Sequence, residues 1–167
     1  MSCPGHDRIP KTGSRAAWPL FLSIALLAAT TFGAAQGAGG GFFPAGYRAW
    51  TVAKFRFESK GALRYHYANS QALASWGKFS DGSTLVDEKV HATLGEDGTW
   101  READIAHVAV MRKDAKTYPD TGGWYFNFFT AGDSSAGLTP EQAKARCFDA
   151  CHKAQEARDF VFSDPRR

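Results

Sequence analysis

Residues 84–93 read Thr-Leu-Val-Asp-Glu-Lys-Val-His-Ala-Thr, a run with the β-branched and apolar content of a strand. A turn signal, Glu96-Asp97-Gly98, follows, and the chain continues from Trp100 to Arg112. That second segment carries four β-prone apolar residues: Ile105, Val108, Val110 and Met111. The pattern predicts a β-hairpin, which forms the centre of the expected fold.

Further elements are predicted on both sides of the hairpin. Residues 62–67 alternate and are rich in aromatic side chains, and residues 124–129 form a second aromatic run, so both predict strands. A short helix is expected over 47–55, from the spacing of the apolar positions 47, 50 and 55. A second short helix is expected to begin at the N-cap Asn69 and to run through Trp76.

The last predicted element is a helix that begins at Thr139. Thr139 is a good N-cap residue, Pro140 suits the first helical position, and Gln142 completes a capping box. The helix is expected to run through Cys147 to about Ala154, before a short extended tail over 159–162. The expected fold class is therefore α+β: an antiparallel β-sheet of four to five strands, with short helices and a C-terminal helix on one face.

The N-terminal 35 residues have the layout of a signal peptide. A basic stretch with Arg8, Lys11 and Arg15 precedes an apolar core over 20–29, and Gly33-Ala34-Ala35 offers the small residues of a cleavage site. Cleavage after this site is expected, with an uncleaved membrane anchor as the alternative. Either way the folded domain is expected in the periplasm or outside the cell. The expected divisions are a signal peptide (1–35), a flexible leader (36–46), a folded domain (47–162) and a tail (163–167).

Removal of the signal peptide changes the charge and the cysteine count. The net charge falls from +3 to +1, because 17 of the 20 Lys and Arg residues and 16 of the 17 Asp and Glu residues remain. The basic character of the whole chain thus comes largely from the signal, and no nucleic-acid partner is expected. Cys3 leaves with the signal, so the mature chain keeps two cysteines, Cys147 and Cys151.

These two cysteines stand in the motif Cys147-Phe148-Asp149-Ala150-Cys151-His152. Two cysteines followed directly by histidine are the attachment motif of c-type haem, in which the thiols bond to the haem vinyls and the histidine binds the iron. The usual spacer has two residues, whereas three stand here. Positions i and i+4 of a helix still share one face, so both sulfurs reach one haem edge. One covalent haem c per chain is expected, with His152 as the metal ligand.

Other interpretations of the same residues stay open. A disulfide between positions i and i+4 of one helix is strained, because the β-carbons lie about 5–6 Å apart and a bridge needs about 3.8 Å. A zinc site would need a further ligand beside Cys147, Cys151 and His152. Two ordinary core cysteines are the third alternative.

The rest of the sequence predicts an iron with an open coordination position. No methionine follows His152, and Met111 falls in a predicted strand, where it is expected to pack the core. The other conceivable axial ligands, His66, His91 and His107, also fall on predicted strands and are expected to be surface or core residues. A five-coordinate iron is able to bind a small molecule.

Several short motifs are spread along the domain: Tyr47-Arg48-x-Trp50, Tyr67-Ala68-Asn69, Gly77-Lys78-Phe79-x-Asp81-Gly82, Val110-Met111-x-Lys113-Asp114, Gly122-Gly123-Trp124, Cys147…Cys151-His152 and Arg158-Asp159-Phe160-Val161-Phe162. With these motifs the chain resembles the cytochrome P-460 and cytochrome c′-beta family from about Tyr47 to Phe162. The resemblance implies an antiparallel sheet, often dimeric, with a pentacoordinate c-haem. One branch of the family oxidises hydroxylamine and has a lysine cross-linked to the porphyrin and a distal carboxylate. The c′-beta branch has a distal pocket capped by phenylalanines and binds nitric oxide or carbon monoxide.

The resemblance also gives candidate site residues. Lys78 and Lys89 are the candidates for a cross-linked lysine, although the family's Val-Lys-Glu is here Val86-Asp87-Glu88. Asn127 stands where the family often has an acid. The candidates for an apolar distal wall are Phe79, Phe126 and Phe128.

Three functions follow as hypotheses. The first is a haem protein that binds a diatomic or other small nitrogen-oxide ligand such as nitric oxide at an open iron. The second is a hydroxylamine oxidoreductase that passes electrons to a soluble redox partner. The third is a secreted binding module without haem, with a disulfide in the helix.

Overall fold

A five-stranded antiparallel sheet forms the centre of the structure, with its strands in the order of the chain. The computed structural model describes residues 41–58 and 61–162, all within one unit, Gln36–Arg167. The expected signal peptide, the first part of the leader and the tail lie outside the described residues. The strands are β1 (Thr51–Glu58), β2 (Ala62–Ala68), β3 (Thr84–Leu94), β4 (Trp100–Lys113) and β5 (Trp124–Thr130).

Short helical segments connect and cover the strands. Helix α1 (Ser70–Ala74) begins at the N-cap Asn69, whose side chain accepts from the backbone N–H of Ala72. Helix α2 (Pro140–Ala143) begins at Thr139, with both hydrogen bonds of the predicted capping box formed. The remaining helical segments are Tyr47–Ala49, Pro119–Thr121 and His152–Arg158, all 3₁₀, and the π-helix Lys144–Asp149. No helix among the described residues is long and apolar enough to cross a membrane.

The α+β prediction is confirmed, and so are the hairpin and the two aromatic strands. The predicted helix over 47–55 is wrong. Only Tyr47–Ala49 makes a helical turn, and Thr51–Glu58 is an edge strand paired with β2. An edge strand buries few side chains, so its sequence lacks a clear strand pattern. The aromatic residues at positions 50 and 55 therefore resembled the spacing of a helix.

The C-terminal predictions also need correction. The prediction of a single helix from Thr139 to Ala154 is wrong. The α-helix ends at Ala143, a π-helix follows over Lys144–Asp149, and a separate 3₁₀ segment begins at His152. The extended tail is wrong as well, since Asp159 and Phe160 are left-handed, with φ of 50° and 63°. The chain therefore turns back on itself after Arg158 rather than running on.

The two faces of the sheet have different coverings. On one, called the front face, the C-terminal segment 140–162 packs on Trp124, Phe126 and Ala68 through Phe148 and Val161. Side chains on this face come from every second position of each strand. The strand register aligns them in three rows that cross β2 to β5: Ala68, Leu85, Met111 and Phe126 in the first, His66, Asp87, Ala109 and Phe128 in the second, and Arg64, Lys89, His107 and Thr130 in the third.

The opposite, or back, face is closed by the residues that precede β1. Tyr47 packs there with Tyr67, Val86, Val108 and Phe129. The carboxylate of Glu88 is fully buried on this face and accepts hydrogen bonds from the hydroxyls of Tyr47 and Tyr67, at 2.6 and 3.2 Å, and from Arg48 at 2.9 Å. A buried carboxylate needs such partners, and this network fixes the N-terminal segment to the sheet.

Candidate functional site

The cysteine–histidine motif begins in a π-helix and ends at the start of a 3₁₀ segment. Cys147 is inside the π-helix Lys144–Asp149, in which the backbone N–H of Ala150 donates to the carbonyl of Ala145 at 3.2 Å. A bond from i to i+5 encloses one residue more than the α-helical bond, so this turn takes up the extra residue of the spacer. The winding breaks at Cys151, whose φ and ψ are −134° and −59°.

The thiol of Cys147 is free and partly buried against the core of the front face. Burial raises its pKa. Cys147 and Cys151 are therefore not bridged to each other, which contradicts the hypothesis of a disulfide within the helix. No group of three or more His, Cys, Asp or Glu side chains able to hold a metal ion occurs in the part of the chain that the structure describes, so the zinc alternative has no ligand set there.

His152 is held in one orientation by the turn that follows it. Its Nδ1 lies 2.7 Å from the backbone carbonyl of Phe160, and because a carbonyl only accepts, Nδ1 carries the proton. The ring packs between Phe126 and Phe162, at centroid distances of 4.8 and 4.9 Å. Burial lowers the pKa of His152, although the Phe160 carbonyl and the charge of Asp87 oppose this shift. The imidazole is thus neutral, with its Nε2 lone pair available to a metal.

Asp159 fixes the turn that positions His152. Its Oδ1 accepts from Lys113 Nζ at 2.6 Å and from Trp124 Nε1 at 3.3 Å, and its Oδ2 accepts from the backbone N–H of Phe79 at 3.0 Å. Lys113 also donates to the carbonyl of Gly122 at 3.0 Å. This cluster, the Asp159 clamp, ties the residue before Phe160 to the sheet.

The clamp explains several of the quoted motifs at once. Lys113, Gly122, Trp124 and Asp159 come from three of the stretches that carried the resemblance, and the structure brings them together. The glycine is required, because a Cβ at Gly122, whose φ is +65°, would collide with the ring of Phe160. Neither Asp159 nor Lys113 had a predicted role. The signal that could have found them is that one motif contains an acid, Asp159, and another contains a base, Lys113, and that neither had another predicted partner.

A free partly buried thiol, a neutral imidazole beside it and an apolar setting fit a covalently held haem. Comparison with protein families gives a match to Cytochrome P460 over residues 44–163. The chain belongs to the cytochrome P460 family. Membership makes it a haem cytochrome, as the sequence predicted. Comparison with curated proteins finds no match.

The other candidate residues of this cytochrome lie in different places. Lys78 is exposed in the turn after α1. Lys89 is in the third row of the front face, where its Nζ lies 3.2 Å from a carboxylate oxygen of Glu58. Asn127 is buried, and its Oδ1 accepts from the backbone N–H of Phe128 and of Leu138, both at 2.7 Å. It therefore holds the loop before α2 against β5.

The three candidate phenylalanines also differ in their surroundings. Phe79 is buried between the rings of Trp76 and Trp124, each at 5.3 Å. Phe126 contacts His152, as described above. Phe128 is partly exposed in the second row and contacts the ring of His107 at 4.6 Å. The structure thus places Phe126 and Phe128 on the face where the motif lies, and Phe79 inside the core beneath it.

A cavity of about 290 Å³ lies between β5 and α2. Its lining includes Trp124, Phe126, Asn127 and Ala143, and Lys144 is the charged side chain that reaches it. The volume is near the lower end of small-molecule sites. The cavity adjoins the segment that carries Cys147 through Lys144.

Proposed function

We propose that this chain is an exported mono-haem c-type cytochrome, with one haem held covalently by Cys147 and Cys151 and ligated by His152. The observation that carries the proposal is the hydrogen bond from His152 Nδ1 to the Phe160 carbonyl, 2.7 Å long, which leaves Nε2 as the metal-binding nitrogen. A backbone carbonyl on the outer nitrogen is the usual support of a metal-bound histidine. The expected signal peptide would direct the chain to the periplasm or to the outside of the cell.

The proposed ligand is a small nitrogen oxide such as nitric oxide. When bound, haem supplies an iron able to take a diatomic ligand at a coordination position that the protein leaves open. The protein supplies no methionine for that position from β4, because Met111 is packed against the front-face core. The aromatic side chains around His152, namely Phe126, Phe148, Phe160 and Phe162, exclude water from the histidine side.

A hydroxylamine oxidoreductase is the second candidate function. Lys89 and Asp87 both lie on the front face, so a lysine and a carboxylate are present on the side of the sheet where the haem motif packs. Such an enzyme needs a placed base to accept protons and a soluble partner to accept electrons. The Glu58 ion pair of Lys89 would have to open before its amine bonds to a porphyrin.

The test is the absorption spectrum of the protein produced in a bacterial periplasm with c-haem maturation. We expect haem that stays with the chain on denaturation and a high-spin spectrum whose Soret band moves when nitric oxide is added to the ferrous protein. The variants Cys147→Ser and Cys151→Ser should each weaken the covalent attachment. A chain without haem would refute the proposal, and a ferrous Soret band shifted far to the red would favour the oxidoreductase.

Two partners belong to the same proposal. One is a soluble redox protein that exchanges electrons with the haem. The other is a second copy of this chain, and the support for it is a group of exposed apolar side chains at one end of the sheet: Phe55, Phe57, Leu94 and Trp100.

A further inference from the structure

The C-terminal segment covers only the first of the three rows on the front face. Phe126 and Ala68, at the ends of the first row, belong to the core beneath that segment. The side chains of the second and third rows are partly exposed, with 27% for Asp87 and 31% for Lys89. These rows continue the surface on which the ring of His152 packs, because Phe126 and Phe128 are next neighbours on one face of β5.

The uncovered rows are polar and organised by a bidentate ion pair. Arg64 Nε and Nη2 donate to the two carboxylate oxygens of Asp87, each at 2.7 Å, and Arg64 Nη1 donates to Glu58 at 3.1 Å. The Arg64 side chain is only 12% exposed. Such a fork-to-fork pair fixes both side chains, so Asp87 has a set position beside its cross-strand neighbour His66.

Two histidines flank this ion pair, and both are kept neutral by burial. Burial lowers the pKa of His107 to about 4 and also lowers the pKa of His66. His107 stacks on Phe128, whose ring limits where the imidazole points. Ala109 stands between Asp87 and Phe128 in the second row, and it has the smallest side chain of that row.

We propose that His66, His107 and the Arg64–Asp87 pair form a polar ligand site on the haem side of the sheet, which hydrogen-bonds an anionic nitrogen oxide bound at the iron. This inference rests on the proposed function and deepens it. A neutral imidazole retains one N–H and donates it to an oxygen acceptor, whereas a pocket of phenylalanines alone offers no donor. The positive charge of Arg64 is balanced by Asp87 and Glu58, so the N–H groups of the two histidines, rather than a net charge, hold the ligand. The probe ligand is nitrite.

The first experiment measures nitrite binding to the ferric haem protein through the Soret band. Loss of one hydrogen bond to a charged ligand should weaken binding about tenfold or more. We expect this for His107→Phe and His66→Phe. The variant His107→Gln keeps an N–H donor and should restore most of the affinity. His91→Phe makes the same change at an exposed histidine paired with Asp104, and should leave nitrite binding unchanged.

The second experiment reads the environment of the iron without nitrite. The infrared stretch of carbon monoxide on the ferrous protein falls when a hydrogen-bond donor or a positive charge lies close to the ligand. We expect the stretch to rise to higher frequency in His107→Phe and His66→Phe and to stay unchanged in His91→Phe. A variant that does not fold would show the haem spectrum of the denatured parent chain and is recognised by it. The other histidine variant then decides.

The outcomes separate this inference from the proposed function. A parent chain without haem refutes the proposed function itself. A parent chain that carries haem and binds nitric oxide, but whose carbon monoxide stretch and nitrite affinity are the same in both histidine variants, refutes the polar site alone. Unequal effects of the two variants would support the site and show which histidine is the closer donor.

Discussion

Asp159 immediately precedes Phe160, and it therefore sets the position of the carbonyl that orients His152. Three groups from different parts of the chain, two of them on the sheet, donate to its carboxylate. The left-handed backbone at Asp159 and Phe160 is costly for residues other than glycine, and it persists because the clamp holds it. Asp159 is therefore a positioning residue, and its effect on the haem should pass through His152.

Replacement of Asp159 by Asn should change both stability and redox behaviour. The change leaves Lys113, whose side chain is 11% exposed, without its ionic partner, and should cost about 2 kcal/mol of unfolding free energy. A weaker Nδ1 hydrogen bond makes His152 a poorer electron donor, so the haem midpoint potential should rise. Urea unfolding and a potentiometric titration measure the two effects.

The control for this variant is Asp149→Asn, in the same segment. Asp149 pairs with Lys144 at 2.8 Å, and both side chains are exposed. Exposed pairs contribute little, so neither quantity should move. A midpoint potential unchanged in Asp159→Asn would show that the clamp stabilises the fold without orienting His152.

His107 should make stability depend on pH. Its pKa is about 4 in the folded protein and about 6.5 when unfolded. Between these values the unfolded chain binds a proton that the folded chain does not, so stability is full above about pH 6.5 and falls as the pH drops toward 4. The loss amounts to about 3 kcal/mol.

The measurement is urea unfolding of the haem protein at several pH values. We expect His107→Phe to flatten the decline between pH 6.5 and 4, and the exposed His91→Phe to leave it as in the parent. His66 keeps part of the slope, because burial lowers its pKa too. The same slope in His107→Phe and the parent would contradict this assignment.

At the scale of elements, the π-helix Lys144–Asp149 accommodates the extra residue of the cysteine spacer in its wider turn. We expect deletion of Ala150, which gives the usual two-residue spacer, to rewind this segment with α-helical bonds. Cys151 and His152 would then keep their places, because the wider turn encloses one residue more than an α-turn. Unfolding free energy should change by no more than about 1 kcal/mol, and haem attachment should persist.

Deletion of Ala154 is the matched control for that variant. It removes an exposed alanine after His152, within the 3₁₀ segment His152–Arg158, and shifts the Phe160 carbonyl relative to His152. We expect this deletion to reduce haem content and stability. Haem staining of denatured chains and urea unfolding compare the two. Equal damage by both deletions would show that the π-helix does not take up the extra residue.

The elements that were predictable from sequence are those whose signals are local. The hairpin of β3 and β4 followed from β-branched content around a turn, and the start of α2 followed from the capping box at Thr139. β1 was mistaken for a helix, because its aromatic spacing is ambiguous and its strand character comes from pairing with β2. The π-winding and the left-handed turn at Asp159 depend on contacts with residues far away in the chain, which no local pattern encodes.

The candidate site was predictable only in part for the same reason. The motif with His152 was readable as a run of adjacent residues. The polar rows were not predicted, although some of their members stand at alternate positions, such as Arg64 and His66 or Asp87 and Lys89. To see which of these residues are neighbours, one needs the strand register. That register is set by pairing across the whole sheet.

At the scale of the whole molecule, the sheet is closed on the back face and more open at one end. Phe57 and Trp100 stack there at 5.1 Å while remaining 49% and 43% exposed. Exposed apolar groups of this kind mark protein contacts, and the family resemblance implies a dimer. This end of the sheet is thus our candidate for the contact between two copies.

We expect the parent chain to sediment as a dimer and Phe57→Lys to sediment as a monomer with its haem spectrum unchanged. A lysine at this position would have to be desolvated in the contact. Leu73→Lys makes the same kind of change at a leucine of α1 that is 38% exposed, and should leave the dimer intact. A monomeric parent chain would rule out this contact.

The neighbouring acids Asp87 and Glu88 also specify the register of β3. They point to opposite faces, Asp87 to Arg64 and Glu88 to the hydroxyls of Tyr47 and Tyr67. A slip by one residue would exchange the two faces of the whole strand. The buried valines at 86 and 90 would then meet the polar rows. A slipped β3 would lose both its ionic and its apolar partners together, so both sets of contacts favour the observed register.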